Sequence, residues 1–141
     1  MNIQLAVVCD FAADYQGKLC ILGAFDTLCA HQFPVVHPQC SLALRLLFEH
    51  GDQGHHELNI RLLDDAGNEV MPPFTPAMDV VFPPGYVPFV TRNLVLNLQR
   101  LRFDKPGVYR FHIKMDGDTQ SSIPLRVTRF EEMRASTGPA G

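Results

Sequence analysis

The dominant feature of this chain is strict alternation of apolar and polar residues in short runs separated by turn residues. Leu58, Ile60 and Leu62 alternate with Glu57, Asn59 and Arg61, and Tyr109, Phe111, Ile113 and Met115 alternate with Arg110, His112, Lys114 and Asp116. Successive side chains of an extended chain point to opposite faces, so each run is a strand with one dry face and one wet face. Such strands must cover their dry faces against each other. The expected fold is therefore all-β, a mostly antiparallel β-sandwich or barrel, and about eight such strands is a sandwich count.

The remaining runs fit that reading. Ile3, Leu5, Val7 and Cys9 open the chain, and their alternates Ala6 and Val8 are also apolar, which predicts a strand buried on both faces. Asp14-Tyr15-Gln16-Gly17 is a turn signal, with Lys18 to Phe25 returning as a hairpin, and Gly23 inside it predicts a bulge or a close backbone approach. Pro34 and Pro38 make residues 26–40 a connection with at most a short edge strand. Leu42, Leu44, Leu46 and Phe48 form the next apolar face. Later, Leu94, Leu96 and Leu98 give way to Leu101 and Phe103, a change of phase that predicts a bulge at Gln99 or Arg100. Ile123, Leu125 and Val127 face inward on the last strand, where Pro124 predicts an edge position. Residues 1–133 are expected to form one β-sandwich domain and residues 134–141 a flexible tail.

Composition excludes several classes. With 12 basic residues scattered along the chain against 15 acidic ones, nothing marks a nucleic-acid footprint. No apolar run is long enough for a membrane span, and the N-terminus lacks the pattern of a signal peptide, so a cytoplasmic protein is expected. In that reducing setting Cys9, Cys20, Cys29 and Cys40 read as small buried hydrophobes rather than disulfides.

Asp104-Lys105-Pro106-Gly107-Val108-Tyr109, followed by Phe111, resembles the tyrosine corner of immunoglobulin-like sandwiches. The resemblance implies that Asp104, Gly107 and Tyr109 form a structural corner, with the Tyr109 hydroxyl bonded to nearby backbone. The resemblance also implies an antiparallel Greek-key β-sandwich, immunoglobulin-like or C2-like. A second resemblance rests on Cys9-Asp10, Gly17-Lys18-Leu19, Leu22-Gly23-Ala24-Phe25-Asp26 and Phe33-Pro34. Together these are similar to a family of small bacterial domains of unknown function. That resemblance implies a bacterial cytoplasmic setting and carries no activity and no catalytic residue.

Chemistry-bearing residues are few. Cys29, His31, His37 and Cys40 offer the thiolates and imidazoles of a tetrahedral zinc site, but their spacing is not a usual zinc pattern, so no metal is favoured and no cofactor is expected. Asp64, Asp65, Asp116 and Asp118 sit in turn signals and read as turn formers rather than calcium ligands. His50, His55 and His56 flank a glycine-bearing loop. No Gly-x-Ser-x-Gly elbow exists, and no cysteine is flanked by the groups that lower a thiol pKa, so an enzyme is not expected.

The segment from Pro72 to Phe89 is different in kind. It contains Pro72, Pro73, Pro76, Pro83, Pro84 and Pro88, six of the eleven prolines, together with Phe82, Tyr86 and Phe89. Two readings are open: these aromatics anchor a protein partner or a second copy, or they are buried as a lid over the sandwich. The function expected is a non-catalytic protein-binding or self-assembly module that uses this segment and a sheet edge. The alternative is a sandwich that binds a small ligand or a metal.

Overall fold

The computed structural model describes residues 1–131, so the expected tail at 134–141 lies outside the described residues. Nine strands occur there rather than eight: β1 (Asn2–Tyr15), β2 (Lys18–Ala24), β3 (Thr27–Ala30), β4 (Val35–Phe48), β5 (Gly54–Leu63), β6 (Ala77–Val80), β7 (Val90–Phe103), β8 (Gly107–Met115) and β9 (Asp118–Arg129). A single 3₁₀ turn, His50–Asp52, links β4 to β5. One sheet has the order β2-β1-β4-β7, the other β3-β9-β8-β5-β6. Every pairing is antiparallel except that of β3 with β9.

The two sheets share one core, built from the alternating residues. Leu42, Leu44, Leu46 and Phe48 from the first sheet meet Leu58, Ile60, Leu62, Phe111, Ile113 and Leu125 from the second, all essentially without solvent contact. Burying each such side chain contributes about 1.5–3 kcal/mol, which is what drives the two dry faces together.

The apolar phase change in β7 has a different cause from an inserted residue. Arg100 takes a left-handed φ of 54°, yet β4 and β7 keep one register from Val35↔Phe103 to Phe48↔Val90. Pro38 interrupts β4 between His37↔Leu101 and Gln39↔Gln99, and β4 changes its inward phase there too. Both strands turn over together, so no bulge is needed.

The hairpin of β1 and β2 has a shape that alternation does not predict. Val7 and Cys9 lie opposite Ala43 and Ser41 on the outer face of the first sheet. Beyond Cys9, β1 pairs only with β2, and the hairpin curls back over that outer face, where Ala12, Leu19 and Ile21 pack on Ala43 and Val95. Polar contacts pin its tip. Arg45 Nη1 donates to the Gly17 carbonyl at 3.1 Å, and Asn93 Nδ2 donates to Asp14 Oδ2 at 2.9 Å and to the Gly17 carbonyl at 3.1 Å. Gly23 provides the close approach expected of it: at φ 71°, a Cβ there would lie 2.6 Å from Asp10 Oδ2.

Candidate functional site

The proline-rich segment divides in two. Its first half lies along β5, with Phe74 and Ile60 exchanging backbone hydrogen bonds of 2.9 and 2.8 Å, and continues as the edge strand β6. Val80 ends that half fully buried. A proline-rich stretch can do this because an edge strand needs donors on one side only.

The second half, residues 81–89, leaves the sheet. Phe82, expected among the anchors, is half-buried against the core and stacks on His50 with centroids 4.1 Å apart. It roots the loop. Tyr86 is 89% exposed and Phe89 50% exposed, with Val81 at 63% beside them. Pro83, Pro84 and Pro88 restrict the backbone between the fixed ends at β6 and β7, so these rings are presented with little freedom left to lose. The lid reading does not describe Tyr86 or Phe89.

Phe89 leads directly into β7, the last strand of its sheet, which pairs with β4 alone. Its 14 residues present one side of the main chain without a strand partner among the described residues. The hairpin tip bonded to Asn93 brings Tyr15, 60% exposed, to the same end of β7. The outward face of that hairpin also carries the cross-strand pair Phe11 and Leu22, 53% and 69% exposed. Sequence reading missed Phe11, Tyr15 and Leu22. The sequence puts Leu22 on a strand and Tyr15 in a turn signal; only the backward curl of the hairpin shows which face is covered.

The corner is present. Tyr109, 3% exposed, donates its hydroxyl to the Lys105 carbonyl at 2.6 Å, and its ring meets Phe103 edge-on at 4.8 Å. Asp104 is spent on Arg102, whose Nε lies 2.8 Å away. Gly107 has open space where a Cβ would stand and an ordinary φ, so neither residue pins the corner. Burial, ahead of the other influences, raises the Tyr109 pKa above that of a free phenol.

The four residues considered for zinc are not brought together. Cys29 is exposed on β3, His31 lies tilted against Phe130, His37 sits near Phe25, and Cys40 is buried on the inner face of β4. Among the described residues no three His, Cys, Asp or Glu side chains are grouped to hold a metal ion. Burial pushes the Cys40 thiol up to about 11, the opposite of what a nucleophile or ligand needs. All four cysteines are free, and Cys20 and Cys29 are exposed, against the expectation that all would be buried. Cys20 stands on the hairpin's outward face and Cys29 on a short edge strand.

The aspartates divide between two roles. Asp64 Oδ1 accepts the backbone N–H groups of Ala66 and Asn68, as a turn former does. Asp116 instead ties the β8–β9 turn to β5: it accepts the Glu57 N–H at 2.9 Å and meets His56 Nδ1 at 2.6 Å. His56 Nε2 faces the Asp52 carbonyl, and the ring stacks on Phe48. Acceptors at both nitrogens favour the imidazolium, and the His56 pKa is raised, first by the Asp52 carbonyl and then by Asp116. His55 lies 3.0 Å from Asp79 at the surface.

This geometry defines a two-sheet, all-β protein with an apolar loop and an open strand edge on one side. Its sequence belongs to DUF6941, a family of unknown function whose model matches residues 4–128. A comparison with curated proteins gave no match. Among the described residues no helix is long and apolar enough to cross a membrane.

Proposed function

We propose that the chain is a non-catalytic self-assembly and protein-binding module of the bacterial cytoplasm, working through residues 81–89 and the edge of β7. The observation that carries the reading is the display of Tyr86 and Phe89 on a proline-stiffened loop that runs straight into a long edge strand. Rigid aromatics lose little entropy when they enter a partner's pocket, and they supply large contact areas. The adjoining main chain adds directional hydrogen bonds by strand pairing. A second copy is the occupant favoured, because an antiparallel edge strand complements itself about a two-fold axis.

The arrangement proposed for the sheets is an immunoglobulin-like Greek key. In support are the strand order β3-β9-β8-β5-β6, the parallel run of β3 beside β9, and the Tyr109 corner at the start of β8.

The test is the double change Tyr86→Ser with Phe89→Ser, followed by sedimentation velocity and urea titration. The expected result is weaker association of the variant with a denaturation midpoint near that of wild type, since exposed side chains contribute within about 0.5 kcal/mol to folding. A variant that unfolds several kcal/mol early, or a wild type monomeric at every concentration and inert to partners, would overturn the reading.

A further inference from the structure

A few basic residues distant in sequence meet on the outer face of the second sheet. Arg110, His112 and Lys114 follow one another at every second position of β8, and Arg61 on β5 stands directly opposite His112. Arg61 is thus diagonal to both Arg110 and Lys114. Like charges at such positions in a sheet repel, and this face gains nothing in the core from holding them. Only Arg61 is neutralised: its Nη1 meets Glu69 at 2.6 Å, and its Nε donates to Asn59 at 3.0 Å, which fixes the guanidinium. Arg110 and Lys114 have no ion-pair partner among the described residues.

A groove of about 510 Å³ lies over this cluster, Arg110 excepted. Arg61, His112 and Lys114 line it with Asn59, Thr75 forms a wall from the first half of the proline-rich segment, and Glu57 and Asp116 stand at one end. That volume is in the range of small-molecule sites, about 300–1,000 Å³. The carboxylate of Asp116 is already engaged by His56 and the Glu57 N–H, so it does not answer Lys114.

We infer that this groove binds a small organic anion, with a phosphate or carboxylate group received by Arg61, His112 and Lys114 and a hydroxyl- or amine-bearing end directed to Glu57. A fixed guanidinium supplies planar donors, Lys114 a mobile cation, and Asn59 and Thr75 neutral hydrogen bonds. The site lies on the sheet opposite to β7 and does not depend on the assembly proposed above.

Amide-resolved NMR titration of the full chain with phenyl phosphate, benzoate and neutral benzyl alcohol, at a constant ionic strength of roughly 0.1 M, tests the site. The expected result is saturable shifts at Asn59, Arg61, His112 and Lys114 with at least one anion and none with the alcohol. Lys114→Gln should weaken binding at least about fivefold, while Lys18→Gln, which removes the same charge from the hairpin on the other sheet, should not. Response to phenyl phosphate alone or to benzoate alone identifies the group bound and supports the site. Absence of saturable shifts there, equal response to the alcohol, or equal weakening by Lys18→Gln would overturn it.

Discussion

Replacing Tyr109 by Phe removes one oxygen and nothing else from the corner between β7 and β8. The ring keeps its edge-on contact with Phe103 at 4.8 Å, and the change opens little space in a side chain that is 3% exposed. What is lost is the 2.6 Å hydrogen bond to the Lys105 carbonyl. A net hydrogen bond contributes about 0.5–1.5 kcal/mol, and a part-buried acceptor left unpaired adds to that, so a loss of about 1–2 kcal/mol is expected. In a urea titration followed by far-ultraviolet circular dichroism, this corresponds to a fall of roughly 0.5–1 M in midpoint at unchanged slope. An unchanged midpoint would refute the corner as a stabilising contact. Alkaline titration gives an independent check. Because the folded Tyr109 pKa is raised, its contribution is complete below the unfolded value of about 10 and is lost as pH rises through the folded one, so the variant should lack a late phenolate absorbance step.

Three further outcomes follow from the same geometry. Cys20 and Cys29 should react with a thiol reagent in the native protein, while Cys9 and Cys40, both at 0% exposure, should react only on unfolding; a third fast thiol would contradict the burial. His56, raised by the Asp52 carbonyl and Asp116, stabilises fully below the unfolded value of about 6.5 and loses that contribution as pH rises through its folded pKa, so stability should decline across that window and His56→Gln should flatten the decline. Gly23→Ala places a methyl on Asp10 at a φ of 71° and should cost about 1–3 kcal/mol by urea titration; a neutral result would mean that the hairpin can shift.

The strands were legible because their signal is local. Leu58 to Leu62 and Tyr109 to Met115 each carry the period-two pattern within a few residues, and the structure buries those side chains as the pattern requires. Strand order across the sheets and the paired phase change at Pro38 and Arg100 were not legible, since the second depends on two strands meeting. The same holds for the hairpin curl, fixed by Arg45 and Asn93 reaching a turn at Gly17. Within the proline-rich segment Phe82, Tyr86 and Phe89 look alike in sequence. Contacts with the core and with His50 separate the half-buried Phe82 from the two exposed rings. In sequence Pro124 is an edge signal; β9 lies between β3 and β8, but β3 reaches only Thr27↔Arg126 to Ala30↔Arg129, so the proline occupies the stretch that β3 leaves uncovered. The basic groove was hidden for a further reason: β5 and β8 are distant in sequence and adjacent in the sheet.

Amide hydrogen exchange along β7, measured at low and high protein concentration, tests the proposed assembly most directly. If a second copy pairs with this edge while Tyr86 and Phe89 seat in its surface, β7 amides turned away from β4 should gain protection as concentration rises, and the double change Tyr86→Ser with Phe89→Ser should abolish the gain. Exchange along β7 that is independent of concentration, and identical in the variant, would contradict self-assembly through this edge.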